Sequence, residues 1–298
     1  MRPAWSVILL TTLIGAAQGL FLVVFAIDVS RSPPRDFVLL SCAISLFLLA
    51  AGLGASFFHL GHPERAWRAV AMWRTSWLSR EVIVLPAFMA MVLIYGVSES
   101  RVAGAIAAVL CLALFICTAM IYACLKFLQE WHTPLTFVNF LLLGLASGLT
   151  LAVPLAVLRY PQFAGPLALA AFGAGALAWI VRIATLVRNA RLRPKSTIQS
   201  AIGIAQPKIS QKAQGFMGGS FNTREFFHGK PKPVLGAVRW LFLALIFPIP
   251  AWLLGWGGGS LEIFITAFAI QFAGLLAERW YFFAEARHPQ NLYYQSMA

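Results

Sequence analysis

The sequence predicts an all-α polytopic membrane protein, a bundle of eight transmembrane helices with a short interfacial helix. Of its 298 residues, 60% are hydrophobic and only 11% are charged. An average soluble chain would carry about a quarter charged residues. Apolar runs of about 20 residues recur, and each is long enough to cross a bilayer. We therefore interpret residues 1–298 as a single integral membrane domain that contains one long basic loop, residues 188–233.

Eight apolar runs are predicted to span the membrane. Glycine and proline inside several of them fit membrane helices better than soluble ones. The first run contains GAAQG, which looks like a signal-peptide cleavage site, but the run is too long and follows only one charge. It is therefore predicted to be the first span. The predicted spans are Trp5–Ile27, Phe37–His59, Val82–Val97, Val102–Leu125, Leu135–Leu158, Phe163–Val187, Val234–Leu254 and Leu261–Phe283.

Basic residues are distributed unevenly across the predicted membrane. Eight spans place both termini and the loops 60–81, 126–134 and 188–233 on one side. With helix-end arginines included, that side carries 19 of the 23 lysines and arginines. Without the 188–233 loop the ratio is still ten to four, so the positive-inside rule predicts that both termini and this loop are cytoplasmic in a bacterial inner membrane. A basic face could also be selected to dock an acidic partner subunit. The basic residues of the other side are Arg31, Arg35, Arg101 and Arg159.

Resident redox centres are not expected in this chain. Its four cysteines lie in apolar runs and form no CxxC pair, which favours packing over ligation of zinc or an iron–sulfur cluster. A membrane cytochrome b needs axial histidines inside facing spans, and none of the five histidines lies there. The sequence therefore predicts neither haem nor cluster, and any electrons must come from metal centres in other subunits.

Ionisable residues gather in SFFHLGHPERAWRAVAMWRTSWLSREV, residues 56–82, between the second and third spans. Apolar residues recur at helical spacing after the HPE sequence, and Glu64 and Arg68 fall on the opposite side. This pattern predicts a short amphipathic helix that lies in the membrane interface with tryptophan anchors. The residues predicted to share its apolar face are Ala66, Ala69, Val70, Trp73 and Trp77.

His59 and Glu81 are predicted to lie at the same membrane face, because they end and begin consecutive antiparallel spans. A charge at membrane depth is costly unless it is paired or used. An imidazole that titrates near neutral pH and a partly desolvated carboxyl can exchange protons with a quinone while they hydrogen-bond its oxygens. The simpler alternative is a His–Glu or Glu–Arg pair that only ties two helices together.

Three further residues are candidates for binding the quinone. Arg80 adjoins Glu81 and could orient it, and Ser56 lies one helical turn before His59. Gln18 lies in the middle of the first span, where a hydrogen bond between helices would explain a buried amide equally well.

Polar residues and prolines in the later spans lead to three structural predictions. Arg182 is predicted to snorkel to the cytoplasmic face. Glu278 and Arg279 end the last span and are predicted to pair with each other or with the loop between the second and third spans. Pro248 and Pro250 should kink or break the seventh helix.

The paired sequences FFHLGHPERAWRA and SWLSRE, with ERWYFFAEARHPQNLYY near the end, resemble the dimethyl sulfoxide reductase membrane-anchor (DmsC) family over the whole chain. The resemblance implies an anchor that holds a molybdopterin catalytic subunit and an iron–sulfur subunit at the membrane. It also implies electron exchange with the quinone pool and no haem or cluster in the anchor itself. In the family, the histidine of HLG and the glutamate of SWLSRE are implicated in quinol binding, and they match His59 and Glu81.

Two features favour the sulfite dehydrogenase (SoeC-like) branch of this family. GFMGGSFNTREFFHG, in the long basic loop, resembles the anchor of cytoplasmic sulfite dehydrogenases, and we interpret the loop as a docking surface for a peripheral subunit. The charge bias places it in the cytoplasm, whereas exported DMSO reductases face the other way. Together they predict sulfite oxidation that feeds electrons into ubiquinone.

Other functions remain open at this point. One alternative within the family is a DMSO-type reductase that draws electrons from menaquinol. Alternatives from other classes are a passive structural anchor and a secondary transporter, which should show inverted repeats and helices interrupted at matching positions.

Overall fold

The computed structural model describes residues 1–212 and 225–294, and within these ranges it contains helices and no strand. Eight helical segments are long and apolar enough to cross a membrane, which confirms the predicted fold class. The seventh segment consists of two helices, and one short helix lies in the loop that precedes it. The helices are α1 (Trp5–Arg31), α2 (Arg35–Ser56), α3 (Trp77–Ser98), α4 (Arg101–Ala123), α5 (Pro134–Arg159), α6 (Ala164–Ala190), α7 (Ile198–Ile202), α8 (Lys232–Ile246), α9 (Pro248–Trp256) and α10 (Leu261–Glu285).

The third span begins earlier than hydropathy predicted. The hydroxyl of Ser76 accepts a hydrogen bond from the backbone N–H of Ser79 at 3.3 Å, so Ser76 caps a helix that starts at Trp77 and not at Val82. A hydropathy average marks the apolar part of a span, but a membrane helix can begin among the polar residues of the interface. Glu81 consequently lies one turn inside α3.

The seventh span is broken as predicted, at Phe247 between α8 and α9. Phe247 has φ −139° and ψ −62°, outside the helical region. Pro248 has no backbone N–H and disfavours helical geometry in the residue before it, which accounts for the break at this position.

The first and fifth helices pack closely against each other at glycine residues. Gly15 and Gly19 on α1, and Gly144 and Gly148 on α5, are each four residues apart. A Cβ atom added to Gly148 would lie 2.0 Å from the carbonyl carbon of Gly19, so the two backbones are in direct contact. Small residues at this spacing allow such close approach in membrane proteins. The GAAQG sequence is therefore a packing surface of the first span.

Both ends of the chain and the end of the long loop meet on one side. The Met1 amino group donates to the carbonyl oxygen of Ala286 at 2.7 Å, and Asn291 Nδ2 donates to the carbonyl oxygen of Phe226 at 3.0 Å. We call this side, which carries Met1, Phe226 and Asn291, the loop face. Met1, the described end of the long loop and the last described residues therefore lie at the same end of the bundle.

Charges on the opposite face are balanced at the surface. Its four arginines are matched in number by Asp28, Asp36, Glu99 and Glu262, so this face contributes nothing to the formal net charge of +13. Three of the arginines form ion pairs. These are Arg35–Glu99 at 3.0 Å, Arg159–Asp36 at 3.6 Å and Arg101–Asp28 at 3.7 Å.

Candidate functional site

The carboxyl of Glu81 is held inside the bundle. Its residue is 6% exposed, and the hydroxyl of Thr118 on α4 donates a hydrogen bond to its Oε1. One hydrogen bond from a neutral group compensates only part of the cost of burying a carboxylate. A buried ionisable group of this kind in a membrane span is a candidate functional residue.

Glu81 lines a small, partly open cavity whose other lining residues come from α1, α4, α5 and α10. Its volume is about 20 Å³, which is room for one or two water molecules. A quinone ring needs far more space, so the ring cannot occupy this cavity as it stands. The polar residues that line it are Thr11, Thr12, Gln18, Glu81, Thr118, Ser147 and Arg279.

His59 lies beyond the end of the second α-helix. The α-helix ends at Ser56, three residues before the predicted end of the span, and Phe57–His59 form a single 3₁₀ turn. The His59 side chain lies outside what the structure describes, so its approach to Glu81 stays a prediction. Its neighbour Phe58 is 89% exposed, which places an aromatic ring on the outer surface beside His59.

Gln18 and Ser56 have local roles in the fold. The amide nitrogen of Gln18 donates to the carbonyl oxygen of Cys111 on α4 at 3.0 Å, which is the helix–helix hydrogen bond that the sequence left open. Gln18 also lines the Glu81 cavity. The Ser56 hydroxyl donates to the carbonyl oxygen of Leu53 at 2.6 Å within its own helix. Both residues stay candidates for quinone binding.

The side chain of Arg80 is bound to the segment before α3. Its guanidinium lies 4.2 Å from the centre of the Trp77 ring and donates to the carbonyl oxygens of Trp73 at 2.9 Å and Arg74 at 2.8 Å. These contacts fix the turn that leads into α3. The predicted action of Arg80 on the quinone remains a prediction.

The interfacial segment is helical as predicted, and it is a 3₁₀ helix, Pro63–Met72. Side chains three residues apart eclipse one another in a 3₁₀ helix. Ala66 and Ala69 are therefore aligned and half-buried, whereas Trp67 and Trp73 form a second, exposed row. Exposed tryptophans at this position fit the predicted anchoring in the membrane interface.

A buried ion-pair cluster lies between α6 and α10. Arg182 is 1% exposed and its Nε lies 2.7 Å from Oε1 of Glu278, so the prediction that Arg182 snorkels to the surface is wrong. An acidic partner on the facing helix removes the need to reach water. Arg279 Nη1 lies 3.5 Å from Oε2 of Glu278, which confirms the predicted pairing of these neighbours. The Arg279 guanidinium also stacks 3.6 Å from the centre of the Phe140 ring.

The Arg182–Glu278 pair could have been found in the sequence by comparing how far each residue lies from the end of its span. Both α6 and α10 end at the loop face, and the two residues lie eight and seven positions before those ends. At 1.5 Å per residue both charges are about 10–12 Å below the helix ends. Opposite charges at equal depth in two spans are a signal for pairing, although only the structure shows which helices are neighbours.

A second cavity, of about 10 Å³, lies beside this cluster. It is bounded by Arg279 and Phe140, which also bound the Glu81 cavity. Its other polar lining residues are Glu130, Thr136, Asn139, Arg182, Thr185, Asn189 and Glu278.

Comparison with known proteins places the chain in a family. The model of the DMSO reductase anchor subunit (DmsC) family matches residues 1–249, which include both His59 and Glu81. The chain belongs to the DmsC family. It is 52% identical to a subunit of the sulfite dehydrogenase of Allochromatium vinosum over 330 aligned positions that cover all of both chains. This DmsC-family chain is therefore a membrane-anchor subunit, which implies catalytic and electron-transfer partner subunits that carry the cofactors.

Proposed function

We propose that this DmsC-family anchor transfers electrons between an iron–sulfur partner subunit and the quinone pool, and that Glu81 exchanges protons with the quinone. The observation that carries the proposal is the position of Glu81. Its carboxyl is 6% exposed inside a membrane span, bonded to Thr118, and borders a water-sized cavity. Burying an ionisable group at this depth is costly, and proton exchange gives it a use.

The size of the cavity determines how the quinone reaches Glu81. Ligand pockets are commonly 300 Å³ or more, whereas the Glu81 cavity is about 20 Å³. We therefore place the quinone ring on the lipid side of Glu81, near the Phe57–His59 turn. Proton transfer through one intervening water is within the reach of a general acid. In this arrangement Glu81 serves one quinone oxygen and His59 serves the other.

We further infer that the complex oxidises sulfite in the cytoplasm and reduces ubiquinone. The 52% identity to a protein of a sulfite dehydrogenase supports the substrate. The concentration of net positive charge on the loop face, against a balanced opposite face, supports a cytoplasmic loop face. Most of the GFMGGSFNTREFFHG stretch lies outside the described residues, so docking of the molybdopterin and iron–sulfur partners onto the 188–233 loop rests on the sequence.

Quinone reduction by the purified complex tests the role of Glu81. We expect Glu81→Gln and His59→Ala to lower sulfite-driven reduction of a short-chain ubiquinone about 10²-fold or more, the usual contribution of a positioned acid or base. Sulfite-driven reduction of ferricyanide, which accepts electrons directly from the partner's metal centres, should stay unchanged. Glu64→Gln is the matched control, because Glu64 lies nearby in the connection that leads into α3 but its side chain is 62% exposed.

Two outcomes would contradict the proposal. If both variants reduce ubiquinone at the wild-type rate while the complex stays assembled, the anchor is passive. If sulfite reduces neither acceptor but dimethyl sulfoxide oxidises an added quinol, the complex is a reductase that runs in the opposite direction.

A further inference from the structure

The two cavities in the bundle are separated by a single layer of side chains. Arg279 and Phe140 form a wall of each cavity, and the Arg279 guanidinium lies 3.6 Å from the centre of the Phe140 ring. Glu81 borders one cavity and Glu278 the other. A movement of these two side chains would therefore connect the two cavities, of which the first has room for one or two waters and the second, at about 10 Å³, is at the lower limit for one.

The second cavity extends from the interior towards the loop face. Glu130, in the connection between α4 and α5, and Asn189, near the end of α6, border it and are only half-buried. Asn139 also borders it and is 5% exposed, and its Oδ1 has no hydrogen-bond partner among the described residues. Buried polar atoms are normally satisfied by protein or by ordered water, so this oxygen indicates a water in the cavity.

We propose that protons reach Glu81 from the loop face through these two cavities. The route begins at Glu130, passes Asn139 and the Glu278–Arg279 pair, and ends at the water beside Glu81. This inference rests on the proposed role of Glu81 in quinone reduction. The lipid side would deliver the quinone, and the interior of the bundle would deliver the proton that Glu81 transfers.

The proton balance of the route is simple. Two electrons from the partner subunit and two protons convert a quinone to a quinol. Glu81 gives one of these protons to a quinone oxygen, and His59 gives the other and regains it directly from solvent. The Glu81 carboxylate then takes a proton from the adjacent water, and that proton is replaced from solvent along the route. Arg279 stays protonated throughout, because a guanidinium does not titrate in this range. Its charge favours the Glu81 carboxylate that each transfer leaves behind, and Glu278 offsets the repulsion that this charge exerts on a passing proton.

Blocking the second cavity tests the route in the assembled complex. Asn139→Leu replaces the amide with an apolar side chain of similar size, and Glu278→Gln removes the carboxylate beside Arg279. We expect each variant to slow proton uptake from a pH indicator during a single turnover with ubiquinone, by about 10²-fold. Both should show a larger solvent deuterium isotope effect than the wild type. Added formate, a small acid that can carry protons into a blocked site, should restore the rate.

Gln271→Leu is the matched control. Gln271 on α10 is also a buried amide, 3% exposed, with an Oε1 that has no hydrogen-bond partner among the described residues, but it borders neither cavity. This variant should keep wild-type proton uptake. Copurification of the partner subunits shows that each variant complex is assembled.

The outcomes separate the route from the proposed function. If Glu81→Gln loses activity while Asn139→Leu and Glu278→Gln take up protons at the wild-type rate, the route is overturned and the role of Glu81 stands. A loss that formate does not restore, or one that Gln271→Leu shares, reflects damage to the fold and also overturns the route. If Glu81→Gln is fully active, the proposed function fails and the route fails with it.

Discussion

The crossing of α1 and α5 leads to a specific prediction about stability. In Gly148→Ala the new Cβ would lie 2.0 Å from the carbonyl carbon of Gly19 and 2.1 Å from the nitrogen of Leu20. Ordinary van der Waals contact begins at 3.4 Å. Because the atoms on both sides of the overlap belong to rigid backbones, no rotamer change can relieve it, and the helices must separate by roughly 1.4 Å at this point.

The expected cost follows from what the separation disrupts. Overpacking a well-packed interior costs about 1–3 kcal/mol. Here the separation also loosens neighbours on both helices that are fully buried, among them Ala17 and Leu20 on α1 and Ala152 on α5. We expect about 3 kcal/mol, the upper end of that range, which lowers the folding equilibrium constant about 10²-fold.

Unfolding by SDS in mixed micelles, followed by tryptophan fluorescence, measures this change. Gly173→Ala on α6 is the control, because an added Cβ there meets nothing within 4 Å. Replacing a helical glycine by alanine without a clash should leave stability unchanged or raise it by up to about 1 kcal/mol. If Gly148→Ala unfolds at the same SDS fraction as Gly173→Ala, the close contact between α1 and α5 is wrong.

Arg182→Met would leave the buried Glu278 carboxylate without its 2.7 Å partner and should destabilise the chain by about 3 kcal/mol in the same titration, whereas replacing all three charges of the cluster (Arg182→Met, Glu278→Leu and Arg279→Met) should recover most of the loss. Burial, followed by the nearby N-terminal charge, lowers the pKa of the His288 imidazole. Its neutral form therefore contributes stability above the ordinary pKa of about 6.5, and the wild type should lose more stability than His288→Gln as pH falls below that value. A cysteine at Ser196, in a chain whose native cysteines are replaced, should react with an impermeant maleimide in inside-out vesicles and not in intact cells. The reverse result would refute a cytoplasmic long loop.

The spans could be predicted from sequence because a membrane helix needs a long apolar run, and few other structures need one. Helix ends were less predictable. The sequence SWLSRE looked like the end of a connection because of its polar residues, yet Ser76 caps α3 and makes these residues its first turn. The seventh span could be predicted in more detail, because two prolines, Pro248 and Pro250, stand close together in it and favour a break. A single proline is a weaker signal, since Pro86 and Pro154 lie inside the continuous helices α3 and α5.

Partners across the bundle could not be predicted in the same way. The sequence alone marks Glu81 as a costly charge, but its hydrogen bond to Thr118 depends on the packing of α3 against α4. A lone arginine near a helix end can snorkel, so the sequence alone favours a surface position for Arg182, whereas its partner Glu278 lies on the last span. The glycine spacing of α1 and α5 is visible in the sequence, but which two helices cross is a property of the fold.

The depth of Glu81 leads to a last prediction, on charge movement. Glu81 is four residues from the start of α3 and 17 from its end, about 6 Å and 26 Å at 1.5 Å per residue. Towards the opposite face α3 presents buried apolar side chains, including Leu85, Phe88 and Val92. Protons from the loop face thus have a much shorter path, and the proposed electron donor docks on that same face.

Electrons and protons that enter from one side leave no net charge across the membrane. Sulfite-driven ubiquinone reduction in proteoliposomes should therefore produce no signal from a potential-sensitive dye, although an ionophore-induced potential in the same vesicles should produce one. A potential that grows with each turnover would mean that protons cross the apolar half of the bundle. Glu81 would then receive them from the opposite face, and neither the cytoplasmic route nor the electroneutral mechanism could hold.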